Sequence, residues 1–416
     1  MLTSPRSNGW AVGCGGSEVG VTVRVLSTVR DVPGTGGVRE ANAAAVLSAI
    51  RAYGPLSRRA IARHTSLSMP TVSRQVSTLI ELGLLSELPD PPLTGEVGRP
   101  TVPVDLNSDV IAACGVHIGV TTTTYGLSTL RGELLDSERI PTPSGAPEEV
   151  LRRIAREVEA FLGDWPERRI IGVGLAIGGQ VDVERGLLDH EPLGWHGVPA
   201  RTIMEEITAL PVYVDGHVPA MATAELLFGE ATHARSALYF YAREMVGAAV
   251  AVGGVLHRGP GQSGSIAHLP VGSDVLCPCG RTGCLEATVS ERSVLERAVR
   301  AGVLDRPDIR TLHEVAAAGD AIAHRILTER AHALGRAVAL LRDIVNPELV
   351  VLAGQAITDA PAYLDAVYGA YADTTVLPDR GLMTVTRFGP DVQAMAACAG
   401  LLARLYERPF SMVGVY

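Results

Sequence analysis

Apolar positions in the first hundred residues recur at helical spacing, whereas beyond residue 110 they form short runs separated by helical stretches. Ala43, Val46, Leu47 and Ile50 share one face between Arg39 and Tyr53, which predicts a helix stopped by Gly54-Pro55. Ser57 is placed to cap a second helix over Arg58–His64. After the turn Ser66-Leu67-Ser68, the positions Val72, Val76, Leu79 and Ile80 predict a third helix, Met69–Leu82, ended by Gly83. Leu84–Leu88 and Thr101–Leu106 suit two strands joined by the loop Pro89–Pro100. Helix, turn, helix and wing in this order predict a winged helix-turn-helix over 39–107. Residues 1–38, with Pro33-Gly34-Thr35-Gly36-Gly37, read as a flexible tail and linker.

Past Val110 the runs Cys114–Thr124, Tyr125–Leu130, Ile170–Ile177, Val212–Val214, Ala237–Tyr241, Gly247–Val252 and Leu349–Leu352 suit strands. Pro147–Leu162, Ser290–Val345 and Asp391–Tyr406 suit helices. Strands mixed with helices predict an α/β body over 108–416, large enough to divide into two lobes. An apolar content of 47% with 19% charged residues excludes a disordered chain. No apolar stretch reaches the ~18 residues of a membrane span, and no secretory leader is visible, so a cytoplasmic protein with no membrane partner is expected. Cys14, Cys114 and Cys398 are scattered singly, which fits reduced thiols and no disulfide framework.

A net charge of -9 carries no nucleic-acid footprint by itself, and all 36 basic residues are arginines. Locally the balance reverses: Arg51, Arg58, Arg59, Arg63 and Arg74 lie in a segment free of acidic residues. The second helix of a helix-turn-helix enters the major groove by its N-terminal end, which points to Ser68, Pro70, Thr71, Ser73, Arg74 and Gln75 as DNA-reading residues. Arg pairs with guanine and Gln with adenine, while Ser68 caps the helix and meets a phosphate. In the wing, Arg99 between Gly98 and Pro100 suits a minor groove.

Cys277, Cys279 and Cys284 stand in C-x-C-x4-C spacing with His268 shortly upstream. Three thiolates and an imidazole satisfy a tetrahedral Zn2+ with no position left for water, so the ion is expected to be structural. Gly280 and Gly283 permit the tight turns that the chelate needs.

With this cluster, the DNA-reading segment and the α/β body together, the chain resembles the ROK family of repressors, open reading frames and kinases over about Arg39–Tyr406. The resemblance implies a winged helix joined to a two-lobed sugar-kinase-like body of the actin and hexokinase class. It carries the family's zinc ligands onto His268, Cys277, Cys279 and Cys284. Pro192-Leu193-Gly194-Trp195 resembles a sugar-site loop, in which Trp195 stacks on a ring, and Glu225–Gly229 resembles the helix after the catalytic loop.

The kinase parts depart from the family pattern. The metal- and phosphate-binding turn D-x-G-x-T stands here as His117-Ile118-Gly119-Val120-Thr121, with Val120 crowding it. In the catalytic loop Gly216 takes the place of an Asn and His217 that of the base, within Val214–Pro219. The adenosine-side glycine pair is altered to Ala353-Gly354-Gln355, and the motif E-x-G-H has become Ser265-Ile266-Ala267-His268. Glu286 matches a remaining sugar-binding carboxylate. No catalytic residue is therefore assigned, and the chain is expected to be a transcriptional regulator, a repressor of carbohydrate genes. Its expected partners are a double-stranded operator and further copies of itself as a homodimer or tetramer. Its effector is expected to be a sugar, sugar phosphate or sugar acid held by Trp195, Gly216, His217, Ser265, His268 and Glu286. Loss of carboxylates, with His117, His190 and His196 in the vicinity, favours a negatively charged effector. The alternatives are a sugar kinase with an added head, and a kinase-like module that answers to a protein partner.

Overall fold

The computed structural model describes residues 35–88, 102–259 and 264–413. Three helices open it: α1 (Thr35–Tyr53), α2 (Arg58–Thr65) and α3 (Met69–Glu81). Ser57 caps α2 by accepting from Ala60 N, and Ser68 caps α3 by accepting from Thr71 N. Gly83 closes α3 with a φ of +75°, which glycine adopts without strain. Strands β1 (Leu85–Glu87) and β2 (Val104–Leu106) then pair antiparallel as the base of a wing. The loop between them, with Arg99, lies outside the described residues, as does the expected tail up to residue 34. The expected linker is in part helix, because α1 begins at Thr35. Tertiary contacts hold this early turn: Glu40 accepts from the Phe410 and Ser411 amides, and the Arg39 guanidinium lies 4.8 Å from the Phe410 ring centroid.

The body repeats one topology. In the first lobe β3 (Ile111–Ile118), β4 (Thr122–Thr129) and β5 (Leu134–Pro141) form an antiparallel meander. Helix α4 (Pro147–Gly163) leads to β6 (Arg169–Ile177), parallel to β3. The single expected strand Cys114–Thr124 is in fact divided between β3 and β4, because Gly119 N donates to Thr122 O and closes a turn there. A small sheet of β7 (Gln180–Asp182), β8 (Leu187–His190) and β9 (Trp195–Val198) precedes α5 (Ala200–Thr208) and β10 (Val212–Gly216), which lies parallel to β6.

Helix α6 (His217–Phe228) crosses between the lobes. It is apolar nearly all round, with Val218, Ala220, Met221, Ala222, Ala224 and Phe228 buried, as a helix packed on every side must be. The second lobe begins with the meander β11 (Ser236–Ala242), β12 (Val246–Val252) and β13 (Val255–Leu256). It continues through α7 (Leu285–Val289), α8 (Glu291–Arg300), α9 (Ile309–Ala317) and α10 (Ala321–Val345) to β14 (Leu349–Ala353), parallel to β11. The expected helical stretch Ser290–Val345 is divided into three helices where Gly302 and Gly319 take positive φ and Asp308 and Asp320 cap the helices that follow.

Short α11 (Gln355–Thr358), α12 (Leu364–Thr374) and β15 (Met383–Val385) complete this lobe, and α13 (Val392–Glu407) with α14 (Pro409–Met412) ends the chain. Each five-stranded sheet reads third, second, first, fourth, fifth in its own strand order. Helix α13 returns across the first lobe so closely that a Cβ on Gly174 would sit 1.9 Å from Ala397 O. One apolar cluster joins Val46, Leu47, Ile50, Val76 and Leu79 of the winged helix to Ala224, Phe228, Leu402, Leu405 and Phe410 of the body. The head is therefore packed onto the body.

Candidate DNA-reading face, metal centre and interlobe cleft

Helix α3 divides by side. Val72, Val76 and Leu79 face inward, while Met69, Pro70, Arg74 and Ser77 are exposed and Thr71 and Ser73 half-buried. Pro70 in the first turn gives up no intrahelical hydrogen bond, and Ser68 Oγ lies 2.9 Å from Thr71 Oγ1 at the capped end. Gln75 does not join this face: it is only 7% exposed and its Oε1 has no partner. Its place three residues after Val72 puts it on the buried stripe, which overrides its side-chain chemistry. Ser77, three residues after Arg74, shares the exposed face although its residue type gave no signal in the sequence.

The basic field is narrower than the sequence implied. Arg59 and Arg63 are exposed, but Arg58 is paired with Glu87 at 2.8 Å and Arg51 turns into the body. Arg51 donates to Leu227 O and lies over the Tyr406 ring.

His268, Cys277, Cys279 and Cys284 come together with all four donor atoms within 4.8 Å of one another. Cys277 Sγ is 3.7 Å from His268 Nδ1, and Cys279 Sγ is 3.7 Å from Cys284 Sγ. A tetrahedral Zn2+ with metal–sulfur distances of about 2.3 Å requires sulfur–sulfur edges of about 3.8 Å. The residues therefore fit a four-coordinate metal. Gly280 and Gly283 take φ of +86° and +74°, and the Gly280 amide donates to Cys277 O to close the knuckle. Arg281 Nε donates to Cys279 Sγ and, as the largest influence, lowers that thiol to about 6.

The side chains expected at the effector site converge on the first residues of β12. Ser265 forms a bridge with Gly247, Glu286 Oε2 accepts from Val246 N at 3.2 Å, and a Cβ on Gly247 would lie 2.7 Å from Val218, next to His217. Cys284 is the N-cap of α7, so the metal cluster and Glu286 share one short element. Gly216 N-caps α6 at the same place. Trp195 does not join this group: it is 2% exposed in the first-lobe core, fixed by the β8–β9 pairing. Val120 is 51% exposed, so it does not crowd its own turn.

His117 and His217, from the ends of β3 and α6, meet with Nε2 to Nδ1 at 2.5 Å. One nitrogen must donate and the other accept, so at least one of the two rings is uncharged. Burial lowers His117 to about 4; burial, then His117 and Arg243, push His217 well below its ordinary range. The His217 ring also meets Tyr241 edge-on at 4.8 Å. His190 is buried close enough to bear on His117, whereas His196 is exposed. Asp215, 2% exposed on β10, accepts two hydrogen bonds from Arg258 of the second lobe at 2.7 and 2.6 Å. That cross-lobe pair joins residues 43 apart in sequence and was not legible in it.

Comparison with known proteins agrees with this architecture. The ROK family model matches residues 113–381 and the IclR helix-turn-helix model residues 41–89. A transcriptional regulator of Mycobacterium tuberculosis is 42% identical over 381 residues, covering 88% of this chain and 86% of that protein. The xylose repressor of Caldicellulosiruptor bescii is 31% identical over 337 residues, 77% of this chain and 84% of its own. The crystal structure of a ROK family transcriptional regulator, a homologue of the E. coli MLC protein, superimposes with a TM-score of 0.78 at 22% identity, covering 89% of this chain and 97% of that one. A ROK hexokinase from Thermus thermophilus matches with a TM-score of 0.59 at 30% identity, covering 70% of this chain and 97% of its own. The hexokinase match covers less of the chain, whereas the regulators align along head and body alike. The chain belongs to the ROK family and is one of its DNA-binding transcriptional regulators.

Proposed function

We propose that the outward face of α3, with Ser68, Pro70, Thr71, Ser73, Arg74 and Ser77, reads an operator in the major groove while Arg99 of the wing enters a minor groove. The functional division falls near residue 107, with the head before it and the effector-binding body after it. Two copies present two heads to a palindromic site, and chromosomal DNA makes the cytoplasm the place of work. A structural Zn2+ on His268, Cys277, Cys279 and Cys284 braces the wall of the cleft that carries Glu286.

The carrying observation is the His117–His217 contact. Two positions that resemble the metal-binding and base carboxylates of sugar kinases hold two touching, buried, uncharged imidazoles. Neither offers the oxygen ligands that a phosphate-bound Mg2+ takes, and imidazoles whose pKa burial depresses are weak proton acceptors, which supports a body that binds without turnover. The same neutrality changes the expected effector. A sugar phosphate or sugar acid needs positive charge; this pair offers none, and the nearby Arg243 already faces Glu291 at 3.8 Å, while the side chains around Val246 and Gly247 present hydroxyl, imidazole and carboxylate groups suited to an uncharged sugar. Relatives named for xylose and N-acetylglucosamine support that class.

Calorimetric titration of the full chain with xylose, glucose and N-acetylglucosamine, against their phosphates and acids, tests the effector. Heat from a neutral sugar is expected. Heat from the anionic forms alone overturns the uncharged class, and heat from none removes the effector from the scheme. Selection of duplexes from a random pool tests the head separately, with an enriched palindrome expected.

A further inference from the structure

The geometry points to Arg51 as a positioning residue that makes α6 a direct mechanical connection from the cleft to the DNA-binding head. This deepens the proposed control of the head by the cleft.

Helix α6 has 12 residues, a length of about 18 Å. Its first residue, His217, is buried against His117 and Tyr241, and Val218 packs against Gly247 of the second lobe. Its last turn ends beneath the head: Leu227 O accepts from Arg51, in the final turn of α1, while Phe228 O accepts from Arg387 of the body. Ala224 and Phe228 share one apolar cluster with Val46, Leu47 and Ile50 of α1. One rigid element thus starts among the effector-site residues and finishes under the helix that supports α3.

Arg51 is placed by α6 more than by its own domain. Burial lowers its pKa, its Nε has no partner, and no carboxylate pairs with it among the described residues. What holds the guanidinium is the negative carbonyl end of α6 and the Tyr406 face 5.3 Å away. A carboxylate on the head would fix Arg51 wherever α6 stood. Here an axial step of α6 by one residue rise, about 1.5 Å, removes its acceptor, so Arg51 and the end of α1 must repack. Close-packed interiors answer such steps by changing arrangement, not by stretching.

Amide hydrogen exchange on the full chain tests the connection without needing DNA or an effector, so its outcome is independent of whether either binds. The comparison is wild type, His217→Ala, Arg51→Met and the double variant, read at amides of α1 and α3. His217→Ala is expected to change exchange there on the order of threefold or more when Arg51 is present, and to have no further effect in the Arg51→Met background. Arg51→Lys, which keeps the cation, is expected to restore part of the response; a merely structural role gives no such dependence on a remote residue. His217→Gln serves as the cleft perturbation if the alanine variant does not fold. Equal responses in the wild-type and Arg51→Met backgrounds overturn the inference, and so does a folded cleft variant that leaves α1 and α3 unchanged.

Discussion

Acidification is expected to weaken this protein through the buried histidine pair. His117 is 3% and His217 7% exposed, and burial holds His117 uncharged down to about 4 from an ordinary value of 6.5. Below pH 6.5 the unfolded chain therefore takes up a proton that the folded chain refuses. Stability must fall as pH drops from 6.5 towards 4 and level off below that window. For His117 alone the loss is about 2 kcal/mol by pH 5 and about 3 kcal/mol by pH 4. His217, displaced in the same direction, adds to it. Glu225 acts in the opposite sense, because burial raises its carboxyl, and the metal ligands also take up protons in acid. A difference measurement removes both. Urea unfolding from pH 4 to 8 is compared between wild type and a His117→Gln, His217→Gln double variant, whose amides can still hydrogen-bond across the same gap. Wild type should lose at least about 2 kcal/mol more than the variant between pH 7.5 and 5. Parallel pH profiles would refute the claim that the pair is held neutral by burial.

Three further outcomes follow from the geometry. Arg74→Ala should lower operator affinity by about 1–3 kcal/mol and relax specificity at one base pair, whereas Gln75→Leu should leave operator affinity unchanged, both read by quantitative gel shift. Chelation of the metal, or Cys284→Ser, should lower the thermal midpoint and expose residues 268–284 to protease, with about 4 kcal/mol at stake where free zinc is a thousandfold above its dissociation constant. Asp215→Asn should cost about 1–2 kcal/mol in urea unfolding; the Arg258 side chain is 37% exposed, so the loss stays below that of a fully buried pair.

Much of the His/Cys3 cluster was readable because its chemistry is local. Cys277, Cys279 and Cys284 are held within one loop, and only His268 had to return from beyond it. The head was readable for a similar reason: the apolar period of α3 and the caps Ser57 and Ser68 are short-range signals. Gln75 shows where that reading failed, since residue type suggested adenine recognition while helical phase placed it inside. Trp195 failed likewise, its ring belonging to a sheet core that no local pattern announced.

The amino-acid order alone determined the order of elements, the His/Cys3 cluster and the departure of the kinase motifs, because periodicity, capping and motif chemistry act over a few residues. Only the tertiary structure decided which departures belong together. His117 and His217 lie 100 positions apart, and neither predicts a neutral pair until β3 and α6 bring their rings into contact. Arg51 counted in the sequence as one more positive charge for DNA; packing turned it towards the end of α6, 176 positions away. Long-range burial decides what a charged or titratable side chain does, and it is set by the fold as a whole.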